Sequence, residues 1–195
     1  MSAAAQPRLS VEEYLALDRE AEVKSEYFDG VLYPICGVSM AHSRLSARLG
    51  WRFEERLAGS PCVTFLSPLR VRVSRTKFVY PDLFVICGKP DLTDEQADTL
   101  TNPNLVLEIL SPTTRDYDYG TKLDMYRELP SVEEYVLVSQ DRQRIEVFRR
   151  MPNQEWRLMR HEGPDAILPL ESLNISIPLS EIFSGIVDPG ARPEF

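Results

Sequence analysis

The sequence predicts a mixed α/β domain, in which a mixed β-sheet is flanked by helices and preceded by an N-terminal helix and a β-hairpin. Three observations predict this class. Apolar residues recur every four positions over 41–57, as they do in an amphipathic helix. Aliphatic runs within 80–88 and 104–112 are typical of buried strands. Helical and strand patterns also occur together along one chain, which favours a sheet covered by helices.

The first elements are a short helix and a hairpin. Ser10 and Glu13 have the spacing of a capping box, which predicts that a helix begins there. Asp29-Gly30 lies between two apolar, aromatic segments, and this is the strongest short-range signal for a hairpin turn. The amphipathic helix over 41–57 then ends before Gly59-Ser60-Pro61.

The second part of the chain is rich in strands. Apolar and polar residues alternate over 63–74, which predicts a strand with one solvated face that carries Arg70 and Arg72. The remaining predicted elements are, in order, strands within 80–88 and 104–112, a helix over about 116–129, strands over 135–138, 144–148, 156–158 and 175–177, and a helix over 179–183.

The composition indicates one domain with a substantial core. The 195 residues are 43% hydrophobic and 27% charged, which is the balance of an ordinary globular protein. We expect a folded domain over 9–184 between flexible tails over 1–8 and 185–195. We find no apolar run as long as a membrane helix and no secretion signal, so we expect no membrane partner.

Three cysteines, Cys36, Cys62 and Cys87, are widely spaced in apolar sequence. Their odd number predicts buried free thiols in a reducing compartment rather than a disulfide frame. A zinc site is not expected, because the sequence has no CxxC motif and only two histidines. We therefore expect a cytoplasmic protein.

The net charge of −8 argues against a protein that coats nucleic acid non-specifically, because such binding neutralises phosphates with basic side chains. An enzyme that acts on nucleic acid is still compatible with this charge. Carboxylates clustered around a divalent cation make a chain acidic, and the bound metal restores local positive charge.

Glu108 is the most informative residue, because every neighbour from Leu105 to Leu110 is aliphatic. An ionised carboxylate in such a strand must be paired, protonated or bound to a metal. Two interpretations stay open from the strand alone. The carboxylate belongs to a functional site, or it forms a structural salt bridge or lies at a sheet edge.

Asp82 follows Pro81 and opens another aliphatic strand. Considered alone, the Pro-Asp pair is equally well explained by a turn. If the strands of Asp82 and Glu108 are neighbours, however, the two carboxylates repel each other unless a cation lies between them. Carboxylate oxygens without nearby sulfur or imidazole select a hard ion, Mg²⁺ or Mn²⁺.

Lys122 lies three residues after Tyr119 and four before Tyr126, so it shares or borders the apolar face of the predicted helix. A lysine on that face reaches the sheet. Beside two carboxylates its ammonium would orient a nucleophilic water and offset charge on a transition-state phosphate. The alternative is a lysine that extends from the helix edge into solvent.

Other polar residues are candidates for the site or for contacts with a substrate. Glu26 lies in the first arm of the hairpin, where a solvated position is the plain alternative. His42 begins the second helix, as a cap or as a substrate contact. Arg70 and Arg72 on one strand face, and Arg115 at a helix junction, would contact phosphate or simply face solvent.

Short motifs follow one another in a fixed order along the chain: Val11-Glu12-Glu13-Tyr14-Leu15, Ser25-Glu26-Tyr27-Phe28-Asp29-Gly30, Tyr80-Pro81-Asp82-Leu83, Leu107-Glu108-Ile109-Leu110-Ser111-Pro112-Thr113-Thr114, Lys122-Leu123-Asp124-Met125-Tyr126 and Ile177-Pro178-Leu179-Ser180-Glu181-Ile182-Phe183. This ordered set covers nearly the whole chain. It resembles the Uma2 family of restriction endonuclease-like proteins, which belongs to the PD-(D/E)XK nuclease superfamily.

The resemblance implies a restriction endonuclease-like core with a metal site. Asp82 would match the superfamily's acid after proline, and Glu108 its second acidic ligand. The superfamily places a lysine two residues beyond that acid, where this sequence has Leu110. The resemblance implies that Lys122 in the following helix takes its place, and that Glu26 is the additional acid near the metal.

Together these observations predict a Mg²⁺- or Mn²⁺-dependent endonuclease that hydrolyses phosphodiester bonds in DNA, with dimerisation expected on general grounds. Its catalytic residues would be Asp82, Glu108, Lys122 and Glu26. The alternative is a catalytically inactive module of the same fold that binds nucleic acid or a protein partner. The acidic charge and the displaced lysine favour this alternative, whereas charged residues in apolar settings oppose it.

Overall fold

The computed structural model describes residues 8–35, 37–93, 96 and 98–187. Residues 1–7 and 188–195 of the predicted tails, and Cys36, lie outside the described residues. Val187 is buried against the core, so packing continues past the domain boundary predicted at residue 184. Within the described ranges no helix is both long enough and apolar enough to cross a lipid bilayer.

The elements follow the predicted order, with two differences. The single strand predicted over 63–74 is two strands that belong to different sheets, and the helix predicted over 116–129 is interrupted by a π-helical turn. The first part of the chain contains α1 (Val11–Glu20), β1 (Ser25–Phe28), β2 (Val31–Pro34), α2 (Met40–Leu57), β3 (Cys62–Leu66), β4 (Arg70–Ser74), β5 (Lys77–Val79), β6 (Leu83–Cys87), β7 (Thr99–Leu100) and β8 (Leu105–Leu110). The second part contains α3 (Arg115–Tyr117), a π-helical turn (Asp118–Lys122), α4 (Leu123–Glu128), β9 (Glu134–Ser139), β10 (Arg144–Arg150), β11 (Trp156–Glu162), β12 (Ile167–Leu170), a 3₁₀ turn (Glu171–Leu173), β13 (Ile175–Pro178) and α5 (Leu179–Phe183).

A six-stranded sheet in the order β11-β10-β9-β8-β6-β3 forms the centre of the molecule. The β8–β9 pair is parallel and its other pairs are antiparallel, so the sheet is mixed, as predicted. Leu105, Leu107 and Ile109 of β8 belong to the core that includes the apolar face of α2. Val106 and Leu110 belong to the opposite core, which includes α4. Because side chains alternate along a strand, Glu108 shares the face of Val106 and Leu110.

A five-stranded sheet in the order β2-β1-β5-β4-β7 lies beside the first. The predicted hairpin joins β1 to β2, and its turn residues Asp29 and Gly30 have φ angles of 48° and 97°. Positive φ at both central positions is the requirement of the tight hairpin turn that Asp-Gly signals. The predicted capping box is present at Ser10 and Glu13, so α1 begins as expected.

The solvated strand face predicted over 63–74 is wrong for Arg70. Its side chain is 3% exposed, and its guanidinium donates to Tyr80 Oη at 3.0 Å and to Asp98 Oδ2 at 3.2 Å. Asp18 of α1 lies 3.5 Å from the same guanidinium. The alternating pattern predicts a strand with one apolar and one polar face, but it does not show that α1 packs against the face that carries Arg70. Arg70 therefore does not present its charge to solvent, where a substrate would meet it.

The prediction of free thiols is wrong for Cys62 and Cys87, which form a disulfide between β3 and β6. The two residues are 25 positions apart in sequence, and their spacing gave no sign of pairing. The antiparallel register places them directly opposite each other on adjacent strands. The cytoplasmic location stays a prediction, and it no longer has support from these two cysteines.

Candidate active site

Glu108 lies in the middle of β8 with only 3% of its surface exposed. Its Oε1 accepts a hydrogen bond from the ammonium of Lys122 at 2.8 Å and another from the hydroxyl of Tyr126 at 3.1 Å. Of the three expected states of this buried carboxylate, paired, protonated or bound to a metal, the structure shows pairing. Two donors on one oxygen leave Oε2 with capacity for a further partner.

Asp82 stands directly before β6, where Pro81 turns the chain into the central sheet. The antiparallel register pairs Leu83 with Leu107, so Asp82 comes opposite Glu108 on the neighbouring strand. The Asp82 amide N lies 3.4 Å from Glu108 Oε2, and Asp82 Oδ2 accepts a hydrogen bond from the Ile109 amide at 2.7 Å. The two acids therefore lie side by side, on adjacent strands.

Lys122 ends the π-helical turn and is 6% exposed, so the prediction that it faces the sheet is confirmed. Besides its bond to Glu108, its Nζ lies 3.1 Å from Glu26 Oε1 and 3.8 Å from Asp118 Oδ1. The ammonium therefore bridges carboxylates from three separate parts of the chain. The alternative of a lysine extended into solvent is excluded.

Glu26 comes to the site from the five-stranded sheet. Its Oε1 accepts the Tyr80 amide at 3.2 Å, and its Oε2 accepts the hydroxyl of Tyr117 at 2.8 Å. The residue is 7% exposed, so the solvated alternative does not hold. Alternation along β1 places Glu26 and Phe28 on one face and Tyr27 on the other, where Tyr27 stacks on Tyr14 of α1.

His42 also joins this group. Ser39 caps α2 through a hydrogen bond from the His42 amide at 3.1 Å, and this fixes the first turn of the helix at the edge of the sheet. From there the imidazole Nε2 lies 3.0 Å from Asp82 Oδ1. Both oxygens of Asp82 therefore have protein partners, which hold its carboxylate in one orientation.

Arg72 and Arg115 lie outside this hydrogen-bonded group. The Arg72 guanidinium donates to the carbonyl of Ser74 at 3.0 Å and lies over the ring of Phe78 at 5.6 Å. Arg115 begins α3, and its guanidinium is 5.8 Å from the ring centre of Tyr119. Substrate contacts by these two arginines stay predictions.

Three further residues, Asp118, Tyr117 and Tyr126, belong to the site. The sequence patterns did not assign them to it. Asp118 lies four residues before Lys122, a spacing that puts both on one helical face. The π-helical turn over 118–122 accounts for Tyr117, because its wider turn brings residues five apart closer to the same side. Tyr117 and Lys122 are such a pair, with Nζ 5.5 Å from the ring centre. Tyr126 lay on the predicted apolar face, and its spacing of four from Lys122 was the available signal.

The charges of this site do not balance. Four carboxylates form what we call the acidic cluster (Glu26, Asp82, Glu108 and Asp118). Three of them lie within 3.8 Å of the Lys122 ammonium, and Asp82 lies beside Glu108. Burial raises the pKa of Glu108 well above its usual value, and Asp82 and Asp118 raise it further against the opposing effect of Lys122. Burial lowers the pKa of Lys122, but Glu108, Glu26 and Asp118 outweigh it and hold that pKa well above normal. The excess negative charge favours the uptake of a proton or a cation.

The donors suit a hard cation. Within the described residues, no group of three or more histidine, cysteine or acidic side chains is close enough together to hold a metal ion. Mg²⁺, however, commonly binds proteins through one or two carboxylates and keeps several waters or phosphate oxygens. Asp82 and Glu108 supply that pair of carboxylates on adjacent strands. The residues present therefore fit Mg²⁺ or Mn²⁺, whose remaining ligands would be water and substrate oxygens.

Comparison with known proteins places the chain in a family. The model of the Uma2 family, described as "Putative restriction endonuclease", matches residues 11–180. The chain belongs to the Uma2 family. Two Synechocystis proteins are similar to it. "Uncharacterized protein slr1290" is 34% identical over 92% of this chain and 94% of its own length. "Uncharacterized protein sll1609" is 30% identical over 86% of this chain and 95% of its own length.

A solved structure supports the fold assignment. The crystal structure of "a putative nuclease belonging to DUF820" from Anabaena variabilis matches with a TM-score of 0.75 at 21% identity, over 92% of this chain and 99% of that chain. The predicted fold class and the predicted resemblance to Uma2 are both confirmed. The region matched by the Uma2 model contains the whole acidic cluster, Lys122 and His42.

In this Uma2 member, Asp118 makes stability depend on pH. Burial, with Asp82 and Glu26 adding to it and Lys122 opposing, raises its pKa from 3.8 to about 6. The folded protein therefore binds more protons than the unfolded chain between these values. The resulting stability is present below pH 3.8 and is lost as the pH rises through about 6.

We expect Asp118→Asn to be more stable than wild type by about 1 to 3 kcal/mol at pH 8, and equally stable near pH 3.5. Urea unfolding at several pH values, with EDTA present, measures this. Asp116→Asn is the matched control, because Asp116 lies in the same helical segment and is exposed. An Asp118→Asn protein less stable than wild type at pH 8 would contradict the assigned cause.

Proposed function

We propose that this Uma2 protein is a metal-dependent nuclease that hydrolyses phosphodiester bonds in DNA with Mg²⁺ or Mn²⁺. The observation that carries the proposal is the convergence of Asp82, Glu108 and Lys122, from two adjacent strands and the following helix, in one negatively charged site. A phosphodiester carries its own negative charge. It would enter such a site only together with a cation, which a nuclease of this kind requires for its chemistry.

Asp82 and Glu108 would hold the ion, and Glu26 is the additional acid of the site. Bound there, the ion would polarise the phosphate and lower the pKa of a bound water. Lys122 would orient that water and stabilise negative charge that develops on the phosphate oxygens. The carboxylates of Glu26 and Glu108, which lie 3.1 Å and 2.8 Å from Lys122 Nζ, keep the ammonium in place and keep it protonated.

His42 would act on the reaction through Asp82 or through the substrate. Its Nε2 lies 3.0 Å from Asp82 Oδ1, at the N-terminus of α2. The imidazole therefore orients the carboxylate, and it lies at the margin of the buried group with 12% of its side chain exposed. His42 is therefore a positioning residue for Asp82. Its exposed part would also be accessible to a substrate phosphate from solvent.

A non-catalytic binding module is the second candidate, and two observations favour it. Leu110 occupies the position where the superfamily places its lysine. In addition, the part of the chain that the structure describes has no group of three acidic, histidine or cysteine donors close enough for a metal ion. Such a module would bind nucleic acid or a protein partner without hydrolysis, and metal binding separates it from the enzyme.

Calorimetric titration with Mn²⁺ tests the proposal. We expect wild type to release or absorb heat on binding and Asp82→Ala to show none, because one of the two carboxylate ligands is lost. Asp124→Ala is the control, since the side chain of Asp124 is 74% exposed on α4. Identical titrations of wild type and Asp82→Ala would leave the metal-dependent enzyme without support and favour the binding module.

Turnover is measured separately by the nicking of supercoiled plasmid in Mg²⁺ or Mn²⁺. We expect nicking by wild type and by Asp124→Ala, and none by Asp82→Ala.

The predicted homodimer is part of the same proposal on the general ground that two-fold dimers are the commonest assemblies. Sedimentation of the purified protein measures it, and a monomer at all concentrations would rule it out.

A further inference from the structure

An exposed aromatic side chain stands next to the acidic cluster. In the β1–β2 hairpin, Tyr33 is directly opposite Glu26 in the antiparallel register. Residues paired in this way have their side chains on the same face of the sheet, with Cβ atoms about 4.5 to 5.5 Å apart. Glu26 points into the buried site, whereas Tyr33 is 50% exposed. Tyr33 therefore marks where the site meets solvent.

A row of aromatic rings connects Tyr33 with the charged residues. The ring centres of Tyr33 and Phe28 are 5.2 Å apart, and those of Phe28 and Tyr117 are 6.1 Å apart. Tyr117 in turn donates its hydroxyl to Glu26, and its ring lies 5.5 Å from the ammonium of Lys122. Aromatic surface therefore runs without interruption from solvent to the lysine and carboxylates.

The hairpin that carries this aromatic row is held firmly at its turn. The Gly30 carbonyl accepts a hydrogen bond from the Leu9 amide at 3.0 Å, and the Asp29 amide donates to the Thr76 carbonyl at 2.9 Å. The face opposite Tyr33 packs on α1 through Tyr27. The hairpin is therefore tied to neighbouring segments at its turn and on the face opposite Tyr33.

Charge and shape together indicate which nucleic acid would bind. Duplex binding relies on basic side chains that neutralise phosphates, and this chain has a net charge of −8, with Arg70 buried. Binding of single strands adds to the phosphate contacts the stacking of bases on aromatic rings, which contributes about 1 to 3 kcal/mol per base. Bases in a duplex are already stacked on each other, so only an unpaired base is free to lie on Tyr33.

We propose that Tyr33, supported by Phe28, is a stacking platform for an unpaired base of single-stranded nucleic acid, next to the phosphodiester that reaches the acidic cluster. This inference rests on the proposed nuclease function and names its substrate as a single strand or an unpaired segment. An unpaired base of DNA and one of RNA present the same aromatic face, so the two sources are distinguished by experiment.

The test measures binding by fluorescence anisotropy of labelled oligothymidylate, oligouridylate of the same length and a blunt DNA duplex. Ca²⁺, which carboxylates also bind, replaces Mg²⁺, and gel electrophoresis checks that the oligonucleotides stay intact. We expect wild type to bind a single strand more tightly than the duplex. Tyr33→Ala is expected to weaken single-strand binding by about five- to a hundredfold, and Tyr33→Phe to retain it, because stacking needs the ring and not the hydroxyl.

Trp51→Ala is the matched control, because Trp51 is 67% exposed on α2, nine residues along that helix from His42. This variant is expected to bind like wild type. The proposal is overturned by equal affinity for duplex and single strands, by Tyr33→Ala binding as well as wild type, or by an equal loss in Trp51→Ala. Weaker binding in Tyr33→Ala, without any hydrolysis of the single-stranded oligonucleotides by wild type in Mg²⁺ or Mn²⁺, would instead count against the nuclease, so the two failures differ.

Discussion

Replacement of Lys122 by methionine is expected to lower the free energy of unfolding by about 3 to 5 kcal/mol at pH 8. The ammonium is 6% exposed and lies within 3.8 Å of three carboxylates, from Glu26, Glu108 and Asp118. Methionine has a similar length and leaves these carboxylates buried without a counter-charge. Chemical denaturation in EDTA measures the loss, and phosphodiester hydrolysis is expected to disappear with it.

The loss of stability in Lys122→Met should become smaller as the pH falls towards 5. Glu108 and Asp118 already have raised pKa values in the wild type, and removal of Lys122 raises both further. Protonation then neutralises the buried charge that methionine leaves behind. Lys89→Met is the control, because Lys89 is exposed and its replacement is expected to change stability by at most about 0.5 kcal/mol. A Lys122→Met protein as stable as wild type at pH 8 would show that the ammonium does not balance the cluster.

Glu108→Gln is expected to lower the rate of metal-dependent plasmid nicking by about a hundred- to a thousandfold, since a metal ligand contributes several kcal/mol to the transition state. The amide has the shape of the carboxylate but no charge with which to hold a cation. Initial nicking rates at saturating Mn²⁺ measure the effect. Glu128→Gln is the matched control, because Glu128 is exposed at the end of α4.

The stability of Glu108→Gln at pH 8 is expected to equal or exceed that of wild type, although its activity falls. The raised pKa of Glu108 means that its contribution to stability is present at low pH and is lost as the pH rises through the folded-state pKa. Glutamine has no such loss, and Lys122 still has Glu26 and Asp118 as partners. At pH 8 the variant should therefore unfold at the temperature of wild type or higher. A strongly destabilised Glu108→Gln would indicate that Glu108 serves the fold rather than the reaction.

These two substitutions separate the contribution of the Lys122–Glu108 ion pair to stability from its contribution to activity. Lys122→Met is expected to remove both stability and activity, whereas Glu108→Gln is expected to remove activity alone. The difference follows from the charge of the site, where the ammonium is outnumbered by carboxylates. Removal of the one positive charge increases the imbalance, and removal of one negative charge reduces it.

Much of the fold was predictable because local patterns decide it. Apolar spacing predicted α2 and the Asp-Gly turn predicted the β1–β2 hairpin, and both are present. Part of the site was predictable for the same reason. Glu108 has only aliphatic neighbours, and Lys122 has the spacing of the apolar helix face, so each residue's burial follows from its own segment.

Contacts between distant segments were decided by the tertiary structure. Strand register places Cys62 opposite Cys87, and the docking of α1 buries Arg70, which its own strand would leave solvated. The π-helical turn brings Tyr117 to the site, and Asp118 reaches it through its four-residue spacing to Lys122. A local pattern determines the face on which a side chain lies. The element that covers that face depends on the packing of the whole chain, which no single segment determines.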